Sequence, residues 1–270
     1  MNGEPVQMTN AAEMMPSPAS PTLANPVLSP AGQTAAFGLA AGSPSVFYAD
    51  DFVTLYNADC RAVLPSLDLS NAFCFTDPPY NVGKAYGTWN DAMPDDEYLG
   101  FVREWIDVVK TCKHGVCLYT PAKWLPQYWL MLGRARQIVM TRNAAGAIRN
   151  GFANYFASML TTAKPKNAPK DWWHNMPCPG QGYFFREETY DHPGYTSEAV
   201  TNRVLAEICP PEAVVVDPFA GTGTTLWCAK LRGMRAIGCE IDRGHCETIA
   251  KRCSQHVLSL ENIQDEARHG

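Results

Sequence analysis

A largely parallel, doubly wound α/β sheet is the fold class this sequence predicts, and three observations carry the prediction. Apolar runs of strand length alternate with stretches of helical periodicity from about Val46 to about Leu260. One of those runs, Val214 to Val216, leads into a glycine-containing turn that opens a helix, and the strand after that helix ends in an acid, Glu240. Another, Ala72 to Thr76, stops at two consecutive prolines. A chain of 270 residues, 46% hydrophobic and 18% charged, is long enough to bury one large core without disulfides or metals. No run of eighteen apolar residues is present, which excludes a helical membrane span, and the first thirty residues do not have the pattern of a secretory signal. The ten cysteines form no Cys-x-x-Cys pair, so reduced thiols are expected rather than a zinc site or a disulfide framework.

Residues 1–45 are rich in Pro, Ala, Ser and Gly, as in Pro16-Ser17-Pro18-Ala19-Ser20-Pro21, and are expected to be a disordered tail. Phe52 to Tyr56 reads as a strand and Ala72 to Thr76 as a buried one. A helix opens at Asp95-Asp96-Glu97, where carboxylates suit the positive end of the helix dipole, and Tyr98, Phe101, Val102, Trp105, Ile106 and Val109 then recur at helical spacing. Gly115 to Tyr119 is a strand, Leu125 to Leu132 a helix, Gln137 to Thr141 a strand and Tyr155 to Thr162 another. Residues 163–195 lose all periodicity and fill with Lys, Pro, Gly, Trp and Tyr. Helix Glu198 to Ile208, strand Val214 to Val216, a helix to Leu231 stopped by Gly233, strand Arg235 to Cys239 and a helix from Gly244 follow. The domain is expected to span 46–262, with a polar tail at 263–270.

The turn Asp217-Pro218-Phe219-Ala220-Gly221-Thr222-Gly223-Thr224 is the first chemical signal. Glycines let a ligand approach the backbone, and an acid at the end of the next strand can accept hydrogen bonds from a ribose diol. The turn lacks the Gly-x-Gly-x-x-Gly spacing of a dinucleotide site and the Gly-Lys-Thr ending of a P-loop, so neither NAD nor ATP is supported. The second signal is Asp77-Pro78-Pro79-Tyr80. The prolines stiffen the segment and donate no hydrogen bonds, so its carbonyls are expected to remain free. A carboxylate, a carbonyl and an aromatic ring at one spot suit a planar heterocycle with an exocyclic amino group. The ring would stack on Tyr80 and the amino hydrogens would go to Asp77 and the Pro78 carbonyl, aiming the nitrogen lone pair outward at a methyl sulfonium. Positioning and preorganised acceptors would then accelerate transfer without a metal or a cysteine nucleophile.

Asp77-Pro78-Pro79-Tyr80 followed later by Asp217-Pro218-Phe219-Ala220-Gly221-Thr222-Gly223-Thr224 resembles the β-class DNA amino-methyltransferases, in which the catalytic motif precedes the cofactor motif. The resemblance covers roughly Val46 to Leu260. It implies a circularly permuted, Rossmann-like methyltransferase fold with a mostly parallel seven-stranded sheet and helices on both faces, and S-adenosylmethionine as cofactor. Asn57-Ala58-Asp59-Cys60 is similar to the family's Gly-Asp-Cys segment, with Ala58 in place of the glycine, which puts Asp59 near the cofactor's adenine. Glu240 matches the ribose-binding acid, Asn81 follows the tyrosine as is usual, and His192-Pro193 is similar to the start of the motif ahead of the cofactor strand. Where the family commonly continues to Lys-Pro this chain has Thr196-Ser197, in the segment that closes over the methionine end of the cofactor. Asp at the head of the catalytic motif resembles the adenine-N6 members, Ser being commoner in cytosine-N4 enzymes. The implied function is methylation of adenine N6 in a base flipped out of double-stranded DNA, with cytosine N4 or a non-catalytic DNA-binding relative as alternatives. The resemblance leaves room for a homodimer and for a cognate restriction endonuclease, and implies a cytoplasmic, nucleoid-associated protein of bacteria or of phage-infected cells.

Net charge is −5, yet residues 120–190 hold nine basic residues against three acidic. The resemblance places target recognition between the two motifs, so the insert at 163–195 is the expected DNA-recognition segment, with Lys164, Lys166 and Lys170 on phosphates. Trp172, Trp173 and Asn175 offer stacking surfaces and base-edge groups, or the two tryptophans pack the loop on the core.

Overall fold

The computed structural model describes residues 45–84, 86, 88–142, 148–149, 152–153, 156–165, 167–176 and 196–255. The tails expected at 1–45 and 263–270 lie outside them, apart from residue 45, as do Lys166 and residues 177–195.

The strands are β1 (Val46–Ala49), β2 (Val53–Asn57), β3 (Ala72–Thr76), β4 (Val116–Thr120), β5 (Arg136–Arg142), β6 (Ile148–Arg149), β7 (Phe152–Ala153), β8 (Phe156–Thr161), β9 (Trp172–Met176), β10 (Val214–Asp217) and β11 (Ala236–Glu240). The helices are α1 (Cys60–Val63), α2 (Asp95–Val109), α3 (Leu125–Leu132), α4 (Glu198–Glu207), α5 (Thr224–Leu231) and α6 (Arg243–Cys253). Nine strands form one sheet in the order β1-β2-β11-β10-β3-β4-β8-β5-β9, and β6 and β7 form a separate antiparallel pair. The block β2-β11-β10-β3-β4 is parallel throughout; β8 runs antiparallel to both β4 and β5, and β9 is parallel to β5.

The sheet has nine strands where seven were expected, because an edge was added on each side. On one side β1 folds back on β2 as an antiparallel pair. On the other, β9 forms inside the stretch that showed no periodicity. Trp173 and Met176 of β9 are buried, while Trp172 and His174 are exposed. A strand this short, with a register irregularity against β5, leaves too few alternations for a periodicity reading to register.

Both faces of the sheet are covered, which is why β3 and β10 are buried at every position and read as unbroken apolar runs. On one face α2 lays down Tyr98, Phe101, Val102, Trp105, Ile106 and Val109 with α1 and α3, the stripe that its spacing predicts. On the other, Val200, Val204 and Leu205 of α4 join Leu226 of α5 and Ile249 of α6 over Val215 and Trp173. Each such side chain contributes about 1.5–3 kcal/mol relative to leaving it exposed. Among the described residues no helix is long and apolar enough to cross a membrane.

Candidate active site

Crossovers diverge between β10 and β3. From β10 the chain passes through α5 to β11 on one side, and from β3 through α2 to β4 on the other. Such a divergence opens a crevice at the strand C-termini, the usual ligand site of open α/β sheets. Here it is lined by Asp59, Asp77–Tyr80, Thr196, Asp217–Thr222, Thr224 and Glu240, among others. Both motifs therefore face one space, although they stand far apart in the chain.

A cross-strand hydrogen bond joins them. Thr76 Oγ1, at the end of β3, donates to Asp217 Oδ1 at 2.6 Å, and the Phe219 N–H donates to the same oxygen at 3.1 Å. Burial pushes the Asp217 carboxyl up to about 6, against hydrogen bonds from Thr76, Thr225 and the Phe219 amide that favour its charged form. After Asp217 the chain turns through Gly221 (φ 54°) and Gly223 (φ 80°), a left-handed conformation that side chains with a Cβ rarely adopt. Gly223 caps α5 from behind the crevice wall, and a Cβ there would stand 2.8 Å from Ile249. Glu240 closes the turn: Oε2 accepts the Gly221 N–H at 2.8 Å and Oε1 the Asp242 N–H at 2.8 Å.

The Asp77–Tyr80 segment is held from below by aromatic donors. Tyr98 Oη donates to the Pro79 carbonyl at 2.9 Å, and Trp124 Nε1 to the Tyr80 carbonyl at 2.9 Å. Tyr98 in turn shares a 2.8 Å hydrogen bond with Tyr128. Two of the carbonyls expected to be free are thus engaged, whereas the Pro78 carbonyl meets no donor among the described residues. The Tyr80 hydroxyl donates to Asp77 Oδ1, which fixes the ring against the carboxylate; burial, then Asp77, raises the Tyr80 phenol well above its ordinary range and keeps it a donor. Thr196 Oγ1 lies 3.4 Å from Asp77 Oδ2. Each Asp77 oxygen thus has a hydroxyl beside it, Tyr80 on Oδ1 and Thr196 on Oδ2.

Two site residues are placed less simply. Asp59 lines the crevice, but its carboxylate caps α1 through the Arg61 N–H and pairs with the Arg61 guanidinium at 2.8 Å. Burial works against its charge, but the hydrogen bonds from Arg61 prevail and hold the carboxyl below its usual range. Ser197 is buried beside Thr196, and its hydroxyl has no partner among the described residues.

Of the recognition residues, Lys164 and Lys170 are not brought to the crevice, and Lys166 lies outside the described residues. Because β8 is antiparallel, its end at Thr161 lies beside the starts of β4 and β5. The connection that follows keeps to that end: the Thr162 N–H donates to Val116 at 2.9 Å, and Asp171 pairs with Arg136 at 2.8 Å. Exposed Lys164 and Lys170 sit on this connection, and a five-residue strand sets the two ends of the sheet roughly 17 Å apart. Trp173 is a correction: it is 0% exposed, donates Nε1 to the Lys170 carbonyl at 2.9 Å, and has the Arg203 guanidinium 4.5 Å over its ring. It is core and cannot stack on a base. Trp172, its neighbour, is 56% exposed with His174 beside it at 5.5 Å. Asn175 lies in β9. The chain leaves β5 at Arg142 and returns at Phe156, so that end of β5 and β8 is the crevice end of the sheet.

A family profile described as DNA methylase, of the N6/N4 group, matches residues 122–252. The match covers just under half of the chain, which over this stretch is similar to the N6/N4 DNA methylases. Together with its relatives, the match makes the protein a DNA methyltransferase. Among relatives, the type II methyltransferase M.ScaI of Streptomyces caespitosus is 25% identical over 273 residues, 82% of this chain and 87% of that protein. Two solved structures share the fold. The M1.HpyAVI–SAM complex superposes with a TM-score of 0.58 at 19% identity, covering 76% of this chain and all of that one. The cytosine-N4-specific PvuII DNA methyltransferase does so with a TM-score of 0.62 at 15% identity, covering 82% and 93%.

Sequence reasoning missed the supports: Thr76, Tyr98, Trp124 and Tyr128. Thr76 and Tyr98 lie in elements whose pattern announced burial, and nothing in a sequence separates a buried tyrosine that packs from one that also holds a neighbouring carbonyl.

Proposed function

We propose that the protein methylates the N6 amino group of adenine in double-stranded DNA with S-adenosylmethionine. The observation that carries this reading is the convergence of Asp77, the unengaged Pro78 carbonyl and the Tyr80 ring at the mouth of the space that the Gly221–Glu240 turn closes.

The residues present suit the cofactor. Asp59, Asp77, Asp217 and Glu240 line the crevice and favour a ligand with a positive centre over a polyphosphate. Glu240 already holds two backbone donors and has lone pairs left for ribose hydroxyls. When bound, the cofactor supplies a methyl group on a positively charged sulfur. The chain supplies the rest. Asp77 and the Pro78 carbonyl take the two amino hydrogens and orient the nitrogen lone pair away from them. Tyr80 carries the base on its ring, whose angle is set by its own bond to Asp77. Asp77 Oδ2, facing Thr196, is placed to accept the proton that the methylated nitrogen sheds. The base must first be rotated out of the duplex, since its amino group is otherwise paired. Adenine is favoured over cytosine by Asp77 at the head of the motif, where this chain resembles the adenine-N6 members. Nucleoside digestion and mass spectrometry of DNA treated with the protein tests the reading: N6-methyladenine is expected, and N4-methylcytosine alone would refute it.

A further inference from the structure

The loop that follows Tyr80 is wound around one buried carboxylate. Asp91, 3% exposed, accepts the backbone N–H of Asn81 at 2.7 Å, of Val82 at 3.1 Å and of Lys84 at 3.0 Å, and its own carbonyl accepts the Gly83 N–H at 2.8 Å. Asn81 takes a left-handed φ of 55° and clamps the far strand of the loop, donating Nδ2 to the Met93 carbonyl at 2.9 Å and accepting the Met93 N–H at 2.7 Å. With three amides on one carboxylate the turn is stiff, so the root of Lys84 is fixed by the fold. From that root the ammonium reaches into the crevice, 5.8 Å from the centre of the Tyr80 ring and 6.0 Å from that of Tyr86.

Among the described lining residues Lys84 is the one lysine or arginine, in a crevice that also holds the carboxylates of Asp59, Asp77, Asp217 and Glu240. The ammonium stands at the Tyr80 ring, where the base is to stack, while Glu240 and the glycine turn mark the other end. Exposed Thr88, on the same loop, puts this side of the crevice at its rim. A nucleotide rotated out of a duplex stays attached to its own phosphates, so its base cannot reach Tyr80 without bringing a phosphodiester to that rim. We propose that Lys84 is a substrate-positioning residue: its ammonium pairs with a phosphodiester flanking the extruded nucleotide and draws the base onto Tyr80. This rests on the functional reading above.

The test uses the full chain, with Lys84→Gln and Lys84→Arg, on a duplex carrying the site located by methylation-aware sequencing. A second set of duplexes replaces either flanking phosphate with an uncharged methylphosphonate. Lys84→Gln should lower kcat/KM for DNA by about tenfold or more, leave cofactor affinity within about threefold and leave the melting temperature unchanged, and Lys84→Arg should recover most of the loss. One of the two methylphosphonates should cost the wild type about as much and cost Lys84→Gln little, since both remove the same pair. Losses that multiply, an unchanged kcat/KM, or a loss of cofactor affinity with KM for DNA intact would each overturn the proposal; the last would put the lysine on the carboxylate of the cofactor's amino-acid end. Methylation of cytosine by the wild type would sink the base assignment alone and leave this comparison readable.

Discussion

At the C-terminal ends of β3, β10 and β11 the chain gathers Asp77, Asp217 and Glu240 around one space. At the opposite ends of β4 and β5 it sets Lys164 and Lys170 on an exposed connection, beside Arg136 at the start of β5. The sequence suggests the reverse emphasis, since the lysines belong to the most basic stretch of an acidic chain. What separates the two is the direction of a single strand: β8 runs against its neighbours and carries residues 162–171 to the wrong end for the crevice. A surplus of charge along a sequence becomes a surface only after topology has acted on it.

The largest effect should come from the acidic end. Asp77→Ala removes an acceptor that matters chiefly as the nitrogen begins to react, so turnover should fall by roughly 2.7–4 kcal/mol, about a hundredfold or more, while cofactor affinity stays within about threefold. Rate and affinity are read by tritium transfer and calorimetry, and turnover above about a tenth of wild type would remove Asp77 from its assigned role.

Next comes the contrast within β9. Trp173→Ala should cost about 3–5 kcal/mol in a urea or thermal melt, because a large buried ring leaves a cavity, whereas Trp172→Ala should change stability by less than about 0.5 kcal/mol. Equal losses for the two would mean that β9 does not alternate as described.

Lys164→Ala with Lys170→Ala tests the basic end. Each cation removed from a phosphate makes the slope of log affinity against log salt shallower by about 0.9. For this pair the slope should hardly move, while Arg142→Ala should make it shallower. A change approaching twice that value for the lysine pair would bring DNA around the sheet.

The smallest effect is a pH dependence. An ordinary aspartate titrates near 3.8, and burial lifts Asp217 to about 6 in the folded chain. The folded state therefore holds this proton more tightly than the unfolded one. The stabilisation is fully present below 3.8 and is lost as pH rises through about 6. Against wild type, Asp217→Asn should show a flatter fall in urea midpoint between those values; parallel curves would contradict the assignment.

Much of the fold was legible because apolar runs such as Ala72–Thr76 and Val214–Val216 read as buried strands, and both motifs hang from their ends. The crevice was legible for the same reason: Asp77, Asp217 and Glu240 are all strand-end residues, and strand ends of a parallel sheet meet on one edge. β9 was not, since five residues with a register irregularity carry too little pattern. Nor was the commitment of Asp59 to Arg61, which depends on a helix only four residues long. Lys84 carried no signal of its own, because its place depends on Asp91, seven residues further on, folding back beneath it.

The most direct test of which end works is hydrogen–deuterium exchange of the full chain with and without a duplex containing its methylation site. Backbone amides of residues 77–84 and around Arg142 should slow on DNA binding, and those of 162–171 should exchange as before. Protection confined to 162–171, with the Asp77–Lys84 segment unaffected, would contradict the account, because the DNA would then be held at the end of the sheet that the crevice does not face.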